Sequence, residues 1–199
     1  MSNNAIKSER QEVVSEEDDL RAQLYEFLAT LLRVEPTDAV VKQVANLSGD
    51  DTPIGQASST LAHLAQKMDG TSVRNEYVDL FIGVGRGELL PYCSYYLTGF
   101  LNEKPLAKLR QDMAAIGIAR ADGVKDPEDH IASLCDMMAG LIRGQFSRSF
   151  TLAEQASFFK YCLKNTENIF LHKMSSQNFT FHENLVRILR IFSLQNQKS

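Results

Sequence analysis

Leu20, Leu24, Phe27, Leu28, Leu31 and Leu32 recur at steps of three and four, the spacing of one face of an α-helix. Ser15, with Asp18 three residues on, predicts the start of that helix, and Pro36 predicts its end. Asp38 is placed to cap a second helix with Val40, Val41, Val44 and Leu47 on one face, and residues 48–55 read as a loop. A third helix carries Leu61, Leu64, Ala65 and Met68, and Ser72 opens a fourth with Tyr77, Leu80 and Phe81 inward. The run from Tyr77 to Val84 has strand-like composition, but a lone strand would have no partner, so it reads as helix.

Residues 83–100 break the periodicity, and Pro105 suits the first turn of a helix with Leu106, Leu109, Met113 and Ile116. After a linker over 117–127, Asp126 is the expected N-cap, Pro127 the first helical residue, and Glu128 and Asp129 the first-turn acids of a further helix. Its buried stripe is Ile131, Leu134, Cys135, Met138, Leu141 and Ile142. Thr151 with Glu154, and Thr180 with Glu183, predict two more starts, leading to Leu152, Phe159 and Leu163 and to Phe181, Leu185, Ile188, Leu189 and Phe192. A helical turn around Ile169 and Phe170 lies between them. The pattern predicts an all-α fold, a single bundle-like domain of about eight or more helices. Two halves, 15–116 and 127–199, are joined by the linker, and a disordered lead over 1–14 precedes them.

The chain has 199 residues, 44% hydrophobic and 23% charged, enough for one core and inconsistent with global disorder. Residues 1–19 hold six acids and two bases, so the net charge of −4 sits there and the remainder balances. No basic excess points to nucleic acid. Cys93, Cys135 and Cys162 are widely spaced and form no CxxC pair; Cys135 and Cys162, in apolar helical patterns, read as buried reduced thiols, which fits a reducing cytoplasm. The first fifteen residues lack an apolar core, so no Sec-type signal is expected, and no apolar run of about 18 residues predicts a membrane span.

Candidate chemistry centres on Asp126-Pro127-Glu128-Asp129-His130. A helix start accounts for four of these residues and leaves His130 facing a buried acceptor or a ligand. Asp129 and His130 as an acid–base pair is the enzyme reading; neighbours on a helix point about 100° apart, and no third, orienting group is identifiable. His63, His130, His172 and His182 show no metal-ligand spacing, so no metal is expected. Gly83, Gly85 and Gly87 do not form GxGxxG between a strand and a helix, so a turn is expected in place of a phosphate cradle. Tyr92, Tyr95, Tyr96 and Phe100 can pack as core or line a groove.

Three segments in order, Glu76-Tyr77-x-x-Leu80-Phe81, Pro91-Tyr92-x-Ser94-Tyr95-Tyr96 and Asp126-Pro127-x-Asp129-His130, resemble the TorD/DmsD/NarJ family. The resemblance covers about residues 20–192 and departs at Asp126, where the family usually has Glu, and around His172, where a following Trp is absent. It implies a cytoplasmic chaperone, and no enzyme. Such a protein binds the twin-arginine signal peptide or apo form of a molybdenum-cofactor oxidoreductase, assists cofactor insertion and delays export. The client could be of formate dehydrogenase, trimethylamine N-oxide or dimethyl sulfoxide reductase, or nitrate reductase type. A general helical adaptor using the same groove is the alternative.

The resemblance also implies a monomer or a homodimer, which exchange of the half after the linker would give. No cofactor is expected; weak guanine nucleotide binding is implied by resemblance and has no motif behind it. Recognition of an arginine pair and an apolar stretch calls for acids and an adaptable groove. Glu76, Asp126, Glu128 and Asp129 are the candidate acids. Leu80, Tyr92, Ser94, Tyr95, Tyr96, Met137 and Met138 are the candidate groove, with His130 orienting an acid or touching the peptide.

Overall fold

The computed structural model describes residues 14–83, 87–120, 123–124, 126–146, 148–158, 160 and 180–195. The expected lead over 1–14, apart from Val14, lies outside them, as do Gly85, Phe159, Cys162, Leu163, Ile169, Phe170 and His172 and the side chain of Phe192. Capping chemistry sets the helix starts. Ser15 caps α1 (Glu16–Arg33), its hydroxyl accepting the Asp18 N–H at 3.1 Å. Thr37, not Asp38, caps α2 (Asp38–Ala45), because its Oγ1 is the atom that reaches the Val40 N–H. Thr52 caps α3 (Pro53–Lys67), whose first three residues fall in the stretch expected to be loop.

Asp69 caps α4 (Gly70–Tyr77), and Ser72 supplies the donated N–H instead of opening the helix. The strand-like run is helical, as expected, but widens into a π turn over Val78–Ile82, closed by Gly83 N–H on the Val78 carbonyl at 2.7 Å. Gly83 leaves it at φ 61°, and Gly87 packs so closely on it that a Cβ would lie 2.5 Å from the Phe81 backbone. These contacts account for glycines at 83 and 87 without a phosphate. There follow α5 (Cys93–Thr98), α6 (Lys104–Ala115), α7 (Ile131–Ile142), the described part of α8 (152–158) and α9 (Phe181–Gln195). The Thr151–Glu154 capping box forms as expected, with each residue bonding the other's N–H.

α7 lies at the centre and is buried on nearly every side, as an all-round apolar helix must be. Met137 and Met138 belong to this buried set, so they do not line an open groove as expected. α1 packs along α7, which joins the segment before the linker to the segment after it. Arg33 pairs with Asp136 across this contact, and Arg143 bonds Asp19 at 3.0 Å and also pairs with Glu26. α9 packs on α3 and touches α1 and α4, while α5 packs on α6. Among the described residues no helix is long and apolar enough to cross a membrane.

The α1 stripe is displaced from its expected position. Leu20 is 59% exposed, and Ala22, Tyr25 and Ala29 are buried in company with Leu28, Leu31 and Leu32. Truncating Leu28 to Ala should therefore cost about 2–5 kcal/mol by urea unfolding, whereas Leu20→Ala should change stability by less than about 0.5 kcal/mol.

Candidate functional site

The stretch over 83–100, which breaks the periodicity, meets the 126–130 motif. The backbone of Tyr92 pairs with that of His130 as an isolated antiparallel bridge. Cys93 N–H donates to the Asp129 carbonyl at 3.0 Å, and Ile131 N–H donates to the Pro91 carbonyl at 2.8 Å. Between them the Asp129 carboxylate accepts the Ser94 N–H at 2.7 Å. This clip explains why the helix start differs from expectation. His130 is held extended by its pairing with Tyr92, so α7 begins at Ile131 and His130 is its N-cap, its Nδ1 accepting the Ala132 N–H at 3.1 Å. Asp126 is not the cap, and Glu128 and Asp129 lie before the helix rather than in its first turn.

Each acid of the motif has a distinct job. Asp129 and Ser94 are buried, and the Asp129 carboxylate caps α5, which has no capping side chain of its own. Because that carboxylate faces Ser94, and His130 Nδ1 faces Ala132, the two do not form an acid–base pair. Glu128 is buried against Arg110 of α6 at 2.8 Å; burial raises its pKa, but the guanidinium more than offsets this and holds it below the usual carboxylate range.

Asp126 is exposed and accepts a hydrogen bond from the Tyr92 hydroxyl at 3.2 Å. Burial, and then the Asp126 charge and bond, push the Tyr92 phenol up to about 12. Tyr77 is likewise pushed up to about 12 by burial and then by the charges of Asp126 and Glu35. Glu35, exposed after α1, thus acts with Asp126 on the Tyr77 phenol through its charge. The sequence reading missed it, because Glu35-Pro36 carries only a helix-stop signal. The His130 ring stands edge-on to Tyr92 at 5.3 Å, and Tyr95 and Tyr96 pack edge to face at the same distance, both half-buried.

Glu76 and Leu80 do not join this surface as expected. Leu80 is fully buried core. The Glu76 carboxylate caps α9 from outside that helix: it accepts the N–H groups of Thr180 (3.1 Å), Phe181 (3.3 Å) and His182 (2.6 Å) and faces His182 Nδ1 at 2.9 Å. Burial raises the Glu76 pKa, yet these bonds hold it below the ordinary value. Among the described residues no group of three or more ligating side chains could hold a metal.

A groove of about 660 Å³ is lined by residues of α5 and α6, the end of α7 and α8. Its walls are Leu97, Leu109, Ile116, Leu141, Phe150 and Phe158. No periodicity pointed to it, since four elements contribute to it.

Two outcomes follow from this geometry. Burial, partly opposed by the Asp126 charge, pushes His130 down to about 4 from 6.5, so the folded protein keeps it neutral where the unfolded chain protonates it. Stability is then full above pH 6.5 and falls as pH drops toward 4, by about 1.4 kcal/mol per unit. His130→Asn retains a capping oxygen and should flatten urea-unfolding stability across that window. Glu76→Ala, which removes the acceptor of three N–H groups at the start of α9, should cost about 1–3 kcal/mol in the same assay at pH 7.

Comparison with known proteins agrees with this architecture. A family model described as nitrate reductase delta subunit matches residues 47–165. The chaperone protein TorD of Aliivibrio fischeri is 29% identical over 144 residues, covering 63% of this chain and 65% of that protein. The TorD of Vibrio cholerae serotype O1 strain O395 is 28% identical over 141 residues, covering 62% and 63%. The chain thus spans a little under two thirds of these curated relatives. A crystal structure described as a redox enzyme maturation protein from Archaeoglobus fulgidus matches with a TM-score of 0.53 at 17% identity, over 89% of this chain and 94% of that one, a likeness of fold. The matched residues include all three motif segments and more than half of the sequence, and on that ground the chain belongs to the nitrate reductase delta subunit family of TorD-like proteins.

Proposed function

We propose that this protein is a cytoplasmic chaperone for a molybdenum-cofactor oxidoreductase. In this reading it binds the twin-arginine signal peptide of the client precursor, assists cofactor insertion and delays export. Clients of formate dehydrogenase, trimethylamine N-oxide or dimethyl sulfoxide reductase, and nitrate reductase type all fit. Family membership and relatives named as chaperones support the class of activity.

One observation of the structure supports the peptide reading: the exposed Asp126 carboxylate is held by the Tyr92 phenol where the motif segments meet, and the charges of Asp126 and of exposed Glu35 both act on the Tyr77 phenol. Exposed carboxylates fixed beside aromatic faces suit guanidinium groups, which take charge-assisted hydrogen bonds and stack on rings. In this reading the buried members, Asp129, Ser94 and His130, set the backbone that presents them.

Charge reversal at either exposed acid, Asp126→Lys or Glu35→Lys, should weaken a peptide with an arginine pair at least roughly fivefold in calorimetry, with the loss shrinking as salt rises. The thermal midpoint should hardly move, since both side chains are exposed. Unchanged affinity in both variants would refute the assignment of these acids.

A further inference from the structure

We propose that Arg120 is a built-in competitor for the acidic surface: its guanidinium, held against the Asp126 backbone, occupies space that a basic residue of a ligand takes on binding. This rests on the peptide-binding reading above and adds a control on affinity from within the chain. The contact is a single hydrogen bond, from Arg120 Nη2 to the Asp126 carbonyl at 2.9 Å. That carbonyl and the Asp126 carboxylate belong to one residue and stand within about 5 Å of each other by covalent geometry. The Arg120 guanidinium therefore lies beside the carboxylate that accepts the Tyr92 hydroxyl.

Three cations of the chain act near this surface, and their attachments differ. Arg33, at the end of α1, pairs with Asp136 of α7. Arg110, on α6, pairs with Glu128 at 2.8 Å. Each of these is anchored on a helix and committed to a carboxylate. Arg120, in the linker after α6, is exposed, and among the described residues it makes no ion pair; a neutral carbonyl is its acceptor. An exposed charge on a carbonyl lacks the Coulomb attraction of an ion pair, and water replaces it readily. Arg120 is thus the displaceable member of the three.

Competition of this kind has a definite signature. When a side chain holds a surface part of the time, the apparent Kd of a ligand rises by the inverse of the open fraction. A surface held about two thirds of the time binds about threefold more weakly. Every cationic ligand meets the same factor, because the surface is vacated before an arginine or a lysine enters. Exposed side chains rearrange in picoseconds to nanoseconds, far faster than a peptide arrives. The factor therefore falls on the association rate, whereas most changes at a binding surface fall on dissociation.

The test uses the full chain and two synthetic peptides that differ only in carrying an arginine pair or a lysine pair. Arg120→Gln alters an exposed side chain and should leave the melting curve unchanged. Lys42→Gln makes the same change of net charge at an exposed position on α2 and serves as its control. Arg120→Gln should tighten both peptides about threefold in calorimetry, through faster association in stopped flow, and Lys42→Gln should leave both unchanged. In an Asp126→Asn background, which keeps the carbonyl and removes the charge, the gain from Arg120→Gln should vanish. If Arg120→Gln leaves affinity unchanged or lowers it while Asp126→Lys weakens the arginine peptide, the acidic surface stands and the competitor role is overturned. A gain matched by Lys42→Gln, confined to one peptide or seen only in dissociation overturns it too, since overall charge or a reshaped surface then accounts for the change. If neither wild type nor Arg120→Gln binds either peptide, the peptide reading and the competitor role fall together.

Discussion

The hydrogen bond from Ser94 N–H to the Asp129 carboxylate is the contact on which the geometry of the site depends. Six residues of α5 are too few to hold a helix by themselves, because nucleation costs more than so short a helix returns. Tyr92, at its N-cap position, has no side chain able to cap. An anion 35 residues away supplies the missing acceptor, and bonds to charged groups in a buried setting are worth about 1.5–3 kcal/mol. The bridge between Tyr92 and His130 then fixes the entry to α7. One buried contact thus aligns α5 and α7, and with them both the acidic surface and the near wall of the groove.

Glu76 repeats the device at the other end of the chain. Its carboxylate caps α9 from α4, as that of Asp129 caps α5. Both acids sit in segments whose composition suggests ligand binding, and both are consumed in tying together helices distant in sequence. Burial sorts the motif residues: those inside assemble the frame, and Asp126 stays exposed, as does Glu35 outside the motif. The pKa directions agree with that division. The buried acids Glu76 and Glu128 stay ionised because their partners outweigh desolvation, while His130, with no such partner, is driven neutral.

Helix content and most helix positions were legible in the order of residues. Three-four spacing of leucines requires a covered stripe, and Ser15 and Thr151 carry local capping chemistry that needs no distant partner. Starts were misplaced where two capping residues stand close together: Thr37 against Asp38, Asp69 against Ser72. Position within a few residues of a helix start is decided by which oxygen reaches an N–H, and composition does not carry that geometry. Leu20 shows the same limit for burial, since the stripe rotates by one position according to what α7 presents.

The sequence by itself determined an all-helical chain and singled out the segments around Tyr92 and His130 that the structure joins. Local periodicity and side-chain capping are short-range effects, written into neighbouring residues. Tertiary structure decided which of those residues face water. The fates of Asp126 and Asp129 diverge because a backbone bridge turns one outward and the other onto α5. The groove arises where four separate elements leave a space. Exposure and cavity shape are sums over contacts distant in the chain, and no single stretch of residues contains them.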